Sequence, residues 1–263
     1  MGFTSCTVGP VVGSIHTHTV ILLHGRDSEC HEFGAEFFES ETSGSPQSLK
    51  DLFPNFKWVF PGARPIPSER FDTPLSQWFD MWSVENPDQR PELQQPGLSD
   101  SVQFVLDIVE QESAYVPRNK IWLGGISQGF ATAVAAFVCG GGGFAGLIGS
   151  SSWALPALSS IRLDGDSSVD ETYRRLQEAF SPELHVGSTM TVWRTTPVFL
   201  SHSVDDDVVP VENGRVLRDC LSEVLGTEVE WHEYESGGHW FNEPQGIDDL
   251  ASFFSRTMGG PLR

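Results

Sequence analysis

The fold of this chain is decided by the stretch Gly124-Gly125-Ile126-Ser127-Gln128-Gly129. The apolar run 120–123 precedes it and the small-residue run 131–137 follows it, so the local sequence predicts a strand, a sharp turn and a helix. The spacing Gly125-x-Ser127-x-Gly129 is that of a nucleophile elbow, a strained turn whose glycines let strand and helix approach closely. We therefore expect the Ser127 hydroxyl to stand clear of the sheet edge as a nucleophile.

Apolar strand patterns alternate with helical patterns on both sides of this turn. Strands are predicted at 14–23, 56–61, 120–123, 144–151, 197–202 and 228–234, and helices at 32–39, 49–53, 97–113, 131–137, 169–180, 211–225 and 247–258. Such alternation implies right-handed crossovers and predicts the α/β class, with a mostly parallel, doubly wound sheet flanked by helices. We see no repeat or boundary, so we expect one domain over residues 1–263, with 1–13 as a loose N-terminal lead-in that has room for a short edge strand.

Residues 153–196 are the least regular part of the sequence. The segment 169–180 is predicted to be helical because Tyr173, Leu176 and Phe180 recur on one face. A helical excursion between two strands above the elbow is where lids are inserted. An ordinary crossover helix packed on the sheet explains the same pattern, and the sequence leaves the two interpretations open.

Composition limits the partners of this protein. The formal charge of -20, from 16 Lys+Arg against 36 Asp+Glu, argues against nucleic acid and anionic membrane surfaces; basic partners, such as polybasic segments beside lipidated cysteines, are a secondary interpretation. No run reaches the roughly 18 apolar residues of a membrane span, and the N-terminus lacks the basic start and apolar core of a signal peptide. We expect a cytoplasmic protein without stable membrane insertion, whose oligomeric state the sequence leaves unknown.

Neither cysteines nor histidines indicate a metal site. The four cysteines are Cys6, Cys30, Cys139 and Cys220. They lack C-x-x-C spacing, so we expect reduced thiols, most of them buried. His16 and His18 would share one face of a strand, but no cysteine or carboxylate of suitable spacing completes a ligand set. We expect neither a metal nor another cofactor.

A serine nucleophile at neutral pH needs an adjacent base, and the base needs a carboxylate that orients it. In chains of the order Ser, acid, His, these partners follow two later strands. Residues 205–207 are three consecutive aspartates after the strand that ends at His202, so the identity of the acid stays ambiguous. His239 follows the last strand on the turn 236–238 and is predicted to be the general base.

The oxyanion of the reaction needs backbone N–H donors. These come typically from the residue after the nucleophile and from the loop after the first central strand. Gln128 fits the first position, and Arg26, which follows His24-Gly25, fits the second. We assign the side chain of Arg26 no catalytic role.

The elbow is accompanied by four other short motifs. They are His24-Gly25, Gln77-Trp78-Phe79-Asp80, Asp206-Asp207-Val208-Val209-Pro210 and Gly238-His239. Together these motifs resemble the phospholipase/carboxylesterase family of α/β hydrolases, which includes the acyl-protein thioesterases, and the resemblance spans residues 18–257. It implies an α/β-hydrolase fold and selects Asp206 as the acid. Two departures stand out: the loop 25–28 lacks the second glycine of the family's H-G-x-G-D, and the segment 153–196 looks longer than in the compact thioesterases.

These residues predict a cofactor-independent serine hydrolase that forms an acyl-enzyme. The resemblance implies fatty acyl ester or thioester substrates, S-acylated protein cysteines among them. We expect the apolar binding wall to come from four aromatic residues: Phe71, Trp78, Trp82 and Trp153. A carboxylesterase for a small metabolite is the alternative that the longer segment 153–196 favours. A non-catalytic binding module on the same scaffold is permitted by fold alone, but the complete triad argues against it.

Overall fold

The computed structural model describes residues 2–44, 47–161, 169–183 and 191–259. In these residues seven strands form one sheet and two more form a small hairpin. The strands are β1 (Thr4–Val8), β2 (His18–Leu23), β3 (Phe56–Gly62), β4 (Pro65–Ser68), β5 (Thr73–Ser76), β6 (Ile121–Ile126), β7 (Gly146–Ser150), β8 (Val198–Ser203) and β9 (Val229–Tyr234). The large sheet has the order β1-β3-β2-β6-β7-β8-β9.

Neighbouring strands of the large sheet are parallel, apart from β1, which is antiparallel to β3. The α/β class and the mostly parallel, doubly wound sheet are therefore confirmed. The lead-in 1–13 contains a short edge strand, for which the sequence left room. Residues 4–8 pair with β3, with Cys6 opposite Phe60, and form one edge of the sheet.

Helices connect these strands close to the predicted positions. They are α1 (Cys30–Glu39), α2 (Leu49–Leu52), α3 (Gln94–Ser113), α4 (Gln128–Gly140), α5 (Pro156–Ser159), α6 (Val169–Phe180), α7 (Thr191–Arg194), α8 (Val211–Asp219) and α9 (Gln245–Thr257). The predicted helix 211–225 is α-helical only in its first part, because Cys220–Val224 continues as a π-helical segment. Among the described residues, no helix combines the length and apolar character that a membrane crossing requires.

Two apolar layers cover the two faces of the sheet. In β2, Ile21 and Leu23 point into the layer that contains α3 and α4, whereas Val20 and Leu22 point into the layer that contains α1 and α9. All six residues of β2 are consequently buried. Burial on both faces explains why residues 20–23 form a continuous apolar run rather than an alternating pattern.

The proline-rich stretch 63–72 contains β4, the first strand of the hairpin of β4 and β5. Pro65 lies opposite Ser76, and Pro67 lies opposite Pro74. Proline donates no backbone hydrogen bond, so strands that contain it are confined to edges, and both strands of a two-stranded ribbon are edges. The hairpin also contacts the loop after β2, because the Asp27 N–H donates to the Ser76 carbonyl at 2.7 Å.

Helix α6 packs against other helices. Leu176 and Phe180 are buried in the layer that contains α4, and Gln177 Nε2 donates to the Val138 carbonyl of α4 at 3.3 Å. These contacts are those of a crossover helix, one of the two interpretations of residues 153–196. Residues 162–168 and 184–190 of that segment lie outside the described residues.

Phe37 provides a test of how α1 is held on the sheet. Its fully buried ring lies 5.8 Å from Trp58 and 5.2 Å from Phe241 between ring centres. We expect Phe37→Ala to lower the free energy of unfolding by about 3–5 kcal/mol, because it leaves a cavity between helix and sheet. Phe38→Ala, at a less buried position, should cost clearly less. Urea unfolding measures both, and equal losses would contradict the assignment of Phe37 to the core.

Candidate active site

Four loops meet at the carboxyl-terminal edge of the large sheet. They follow β2, β6, β8 and β9, and carry Arg26, Ser127, Asp206 and His239 in that order. Ligand sites of parallel sheets form at this edge, because the strand ends bring the following loops together. Arg26, Ser127 and His239 line one pocket, and Asp206 contacts His239 behind it.

Ser127 occupies a strained backbone conformation between β6 and α4. Its dihedral angles are φ 56° and ψ -127°, a region that residues with a side chain rarely adopt. A Cβ on Gly125 would clash with the Leu23 carbonyl oxygen, and one on Gly129 would clash with the His24 carbonyl oxygen. Only glycine fits at these two positions, and this steric requirement explains the two glycines of the elbow motif.

Hydrogen bonds hold the turn at Ser127 from the side of β7. The Ser127 N–H donates to the Ser150 carbonyl at 2.9 Å, and Ser152 Oγ donates to the Ser127 carbonyl at 2.7 Å.

Gln128 is the first residue of α4. The N–H groups of a helix's first turn lack intrahelical acceptors, and the helix carries a partial positive charge there. An anion beside Ser127 is therefore favoured.

His239 is oriented by a buried carboxylate. Its Nδ1 lies 2.8 Å from Asp206 Oδ2. The other carboxylate oxygen, Oδ1, accepts the N–H groups of Val208 and Val209 at 3.0 and 2.9 Å. The side chain of Asp206 is fully buried, whereas that of His239 is 22% exposed. Since Nδ1 is occupied by Asp206, Nε2 is the nitrogen left for proton exchange in the pocket.

The structure distinguishes the three consecutive aspartates. Asp205 is exposed, and its Oδ1 accepts the Gly238 N–H at 2.9 Å, which holds the turn that carries His239. Asp207 is exposed. Asp206 is the aspartate that contacts His239. Geometry thus separates carboxylates that their spacing in the sequence left equivalent.

His202, at the end of β8, was missed by the sequence analysis. Its Nε2 lies 2.8 Å from the Val209 carbonyl oxygen and 3.3 Å from Asp206 Oδ2. Burial opposes the ionisation of Asp206. The hydrogen bonds from His202, His239 and the Val209 N–H outweigh it and hold the pKa of this carboxyl far below its usual range. The available signal was a histidine at the end of a buried strand, four residues before the acid.

His24 fixes the loop that follows β2, and this too was missed. Its buried ring accepts the Ala63 N–H at Nε2, at 3.0 Å, and donates from Nδ1 to the Gly25 carbonyl at 2.6 Å. Burial lowers the pKa of His24 to about 4, and the bond to Gly25 offsets only part of that shift. The ring is therefore uncharged at neutral pH and carries its hydrogen on Nδ1.

The bond from His24 also sets the direction of the next amide. Carbonyl and N–H point to opposite sides of a trans peptide, so with the Gly25 carbonyl held against the His24 ring, the Arg26 N–H must point away from it. Gly25 lies directly beside the nucleophile, because a Cβ built on it would be 3.5 Å from Ser127 Cβ. The Arg26 amide is thus held in one orientation next to Ser127 although the loop lacks a second glycine.

The Arg26 side chain is partly buried rather than free in solvent. Its Nη2 donates to Ser68 Oγ at 3.1 Å, and its guanidinium carbon lies 5.1 Å from the centre of the Phe71 ring. Burial lowers the pKa of the guanidinium, while the charge of Asp80 acts in the opposite direction. Arg26 and Phe71 together form one wall of the pocket.

The pocket beside Ser127 has a volume of about 420 Å³. Its apolar lining consists of Phe33, Phe71, Leu75, Val84, Ile126, Val208 and Trp240. Of the four aromatic residues predicted to form this wall, the structure places Phe71 in it. Trp78 and Trp153 belong to the core, with 0% and 1% exposure, and Trp82 lies outside the lining, under the guanidinium of Arg90.

Trp78 supports the site from the core instead of lining it. Its indole N–H donates to the His24 carbonyl at 2.8 Å. The Gln128 side chain accepts the Trp78 N–H at 2.9 Å and donates to the Phe79 carbonyl at 2.8 Å. The elbow, the loop after β2 and the segment 77–80 are therefore tied together by buried hydrogen bonds, which explains why Trp78 is unavailable to a substrate.

His16 and His18 form other contacts at the opposite end of β2. His16 Nε2 lies 3.0 Å from Thr19 Oγ1, and His18 Nε2 lies 3.2 Å from the Met258 carbonyl oxygen. In the part of the chain that the structure describes, no group of three or more histidine, cysteine, aspartate or glutamate side chains is arranged to hold a metal ion.

Comparisons with known proteins find relatives over most of the chain. The model of the Phospholipase/Carboxylesterase family matches residues 12–162, and that of the Prolyl oligopeptidase family matches residues 88–260. Acyl-protein thioesterase 1 of Yarrowia lipolytica is 28% identical over 249 residues, which cover 92% of this chain and 93% of that protein. Acyl-protein thioesterase 1 of Gibberella zeae is 27% identical over 269 residues, covering 97% and 98%. The crystal structure of Zea mays acyl-protein thioesterase 2 has a TM-score of 0.70 at 24% identity, and covers 98% of this chain and 100% of that one.

The sheet order, the turn at Ser127 and these matches define the chain as an α/β hydrolase, an enzyme of the serine-hydrolase class. Within that class, it belongs to the phospholipase/carboxylesterase family.

Substitution of Asp206 by asparagine tests the buried carboxylate through its pH dependence. Because the pKa of Asp206 is depressed in the folded protein, the charged group stabilises the fold above its unfolded pKa of about 3.9, and this contribution is lost as the pH falls below that value. We expect Asp206→Asn to be less stable than wild type at neutral pH, with the difference shrinking between about pH 5 and pH 3.

Urea unfolding at a series of pH values measures this difference. The matched control is Asp207→Asn, which removes the neighbouring exposed carboxylate and should follow wild type throughout. A stability difference for Asp206→Asn that does not change with pH would contradict the assignment.

Proposed function

We propose that this chain hydrolyses carboxylic esters and thioesters of fatty acyl groups, S-acylated protein cysteines included, through an acyl-enzyme on Ser127. The observation that carries the proposal is the pocket that Ser127 and His239 share with an apolar wall. The relatives named acyl-protein thioesterase support the thioester part. A cytoplasmic location, expected from the sequence, stays a prediction that cell fractionation would test.

In the proposed reaction Ser127 Oγ attacks the acyl carbonyl while His239 Nε2 accepts its proton. His239 then donates this proton to the departing sulfur or oxygen, and a water molecule repeats the sequence to release the fatty acid. Asp206 keeps the other ring hydrogen of His239 on Nδ1 and stabilises the imidazolium that forms. Its depressed pKa keeps Asp206 charged during both steps.

The backbone N–H groups of Arg26 and Gln128 are the proposed donors to the oxyanion. Gln128 offers the amide of a helix's first turn, where negative charge is favoured. Arg26 offers an amide whose direction is set by His24. Donors that are fixed before the reaction stabilise the transition state without reorganising, and loss of one such donor costs about 10²–10³ in kcat.

The lining of the pocket suits an apolar acyl group attached to a positively charged leaving group. Apolar side chains such as Phe33 and Trp240 suit an alkyl chain. Two exposed carboxylates, Asp27 and Glu36, belong to the same lining, in a chain of net charge -20. They would attract the polybasic segments that flank lipidated cysteines, and this attraction would weaken with added salt.

Hydrolysis of peptide bonds is a second candidate reaction. The Prolyl oligopeptidase family model matches residues 88–260, which include Ser127, Asp206 and His239 but not the loop after β2.

A small-metabolite carboxylesterase is the third candidate, because a pocket of about 420 Å³ also accommodates short esters.

Turnover of matched acyl thioesters and oxygen esters, over a series of chain lengths, tests the proposed substrate. We expect faster turnover with medium or long acyl chains than with acetyl, and activity on thioesters. Ser127→Ala should reduce kcat by about 10⁴-fold or more. Short-chain oxygen-ester activity alone would favour the metabolite esterase, and Ser127-dependent cleavage of amides alone would favour the peptidase.

His24 variants test the proposed oxyanion donor on Arg26. Asparagine can place an N–H near the position of the histidine Nδ1, whereas leucine has a similar shape but no donor. We expect His24→Leu to lower kcat by about 10²–10³ with little change in KM, and His24→Asn to retain most of the activity. The folded fraction of each variant, measured by circular dichroism, is the control. Equal losses in both variants would contradict an orienting role for the ring.

A further inference from the structure

Two thiols approach each other where β1 meets α1. Cys6 lies on the edge strand, and Cys30 is the first residue of the helix. Their Sγ atoms are 2.7 Å apart. Carbon atoms, which are smaller than sulfur, make their best contacts at about 3.5–4.0 Å, so two unbonded sulfur atoms are crowded at the observed distance. To form a disulfide bond of about 2.05 Å, the sulfur atoms must approach by less than 1 Å. A small rotation of the side chains is enough for such a movement.

The surroundings of the pair leave space for this approach. Gly62 of β3 lies against the side chains of Thr4 and Cys30, because a Cβ at this position would be 3.2 Å from Cys30 Sγ and would clash with Thr4 Oγ1. Thr4 Oγ1 itself lies 3.8 Å from Cys30 Sγ. Any larger residue at position 62 would push β1 and α1 apart. The local packing therefore brings the two cysteines together.

We propose that Cys6 and Cys30 form a reversible disulfide that fastens β1 to α1. The strand pairs on one side only, with β3, and none of its five residues is fully buried. An exposed edge strand with few apolar contacts opens at a low free-energy cost. The helix is well anchored through the buried rings of Phe33 and Phe37, so a covalent bond to Cys30 would hold the strand closed.

The oxidant in the proposed step is a low-molecular-weight disulfide, oxidised glutathione. The thiolate of Cys6, the more exposed of the pair, attacks one glutathione sulfur, forming a mixed disulfide and releasing one glutathione thiolate. The thiolate of Cys30 then attacks the Cys6 sulfur, forming the protein disulfide and releasing the second glutathione thiolate. The two protons lost by the protein thiols are taken up by the two released thiolates. The protein is oxidised by two electrons, and one glutathione disulfide is reduced to two thiols.

The rate of this exchange should depend on pH. Burial, followed by the hydrogen bond and the charge of Cys30, raises the pKa of Cys6 to about 11. The thiolate is the attacking species, so oxidation should be slow at neutral pH. As the pH rises from neutral towards the pKa of Cys6, the rate should increase about tenfold for each pH unit.

The other two cysteines provide matched controls. Cys139 is fully buried in α4, and burial raises its pKa to about 12. Cys220 is partly exposed at the start of the π-helical segment. Neither lies near the pair on β1 and α1 in the fold, so Cys220→Ser should leave the oxidation of Cys6 and Cys30 unchanged.

The proposed bond should stabilise the fold without altering the pocket. Phe33 of α1 lines the pocket beside Ser127, and Cys30 lies one turn before it on the same helix. Because the sulfur atoms are already close, bond formation does not require α1 to move. We expect the same kcat and KM for an activated ester before and after oxidation. This inference does not depend on which acyl substrate the enzyme uses.

The experiment compares wild type, Cys6→Ser and Cys220→Ser after equilibration in glutathione buffers of increasing oxidised fraction. Digestion after thiol alkylation, followed by mass spectrometry, identifies linked peptides. In wild type and Cys220→Ser we expect a linked peptide containing Cys6 and Cys30, which disappears on treatment with dithiothreitol. The melting temperature should rise by roughly 5–10 °C on oxidation, and Cys6→Ser should show neither change.

Other results would overturn the proposal. These are four alkylated cysteines in wild type after full oxidation, an intermolecular dimer on a non-reducing gel in place of the linked peptide, or a linkage that involves Cys139 or Cys220. A linked peptide without any rise in melting temperature would contradict the stabilising role, because it would mean that opening of β1 does not limit the stability of the fold.

Discussion

The structure depends on the strained turn at Ser127. The residue adopts a backbone conformation with φ 56° because β6 must end and α4 must begin against the loop that follows β2. Gly125 and Gly129 make that contact possible, since a side chain at either position would clash with a backbone carbonyl. Helix α4 is in turn buried along its whole length. The core therefore holds the nucleophile in place, and the cost of the strained conformation is offset by the packing around it.

Buried hydrogen bonds extend this arrangement to the neighbouring loops. Gln128 joins the start of α4 to residues 78 and 79, Trp78 joins that segment to His24, and His24 holds the peptide before Arg26. Each of these groups would be costly to leave unpaired in the core. The amides proposed as oxyanion donors are thus fixed by the same interactions that satisfy the buried polar groups, and fixed donors are the most effective ones.

A second buried network holds the acid and the base. His202 and two backbone N–H groups bind the carboxylate of Asp206, and Asp205 holds the turn before His239. These contacts stabilise a charge that burial alone would disfavour. The edge strand β1 is different, because it pairs on one side and is partly exposed. The proposed bond between Cys6 and Cys30 would join this exposed edge strand to the helix that borders the pocket.

The sequence by itself determined the class of fold, the elbow, and the order in which the nucleophile, the acid and the base follow the strands. Periodic burial and the demand for glycine at residues 125 and 129 are local properties of the chain. The sequence left the acid open until the family resemblance selected Asp206, and it placed Trp78 and Trp153 in the pocket wall. Only the tertiary structure showed that those two rings are core residues, that His24 and His202 hold the site and that Cys6 meets Cys30. The reason is physical: which side of a loop an aromatic ring faces, and which distant groups meet, depends on packing between elements far apart in the chain, and no local pattern records it.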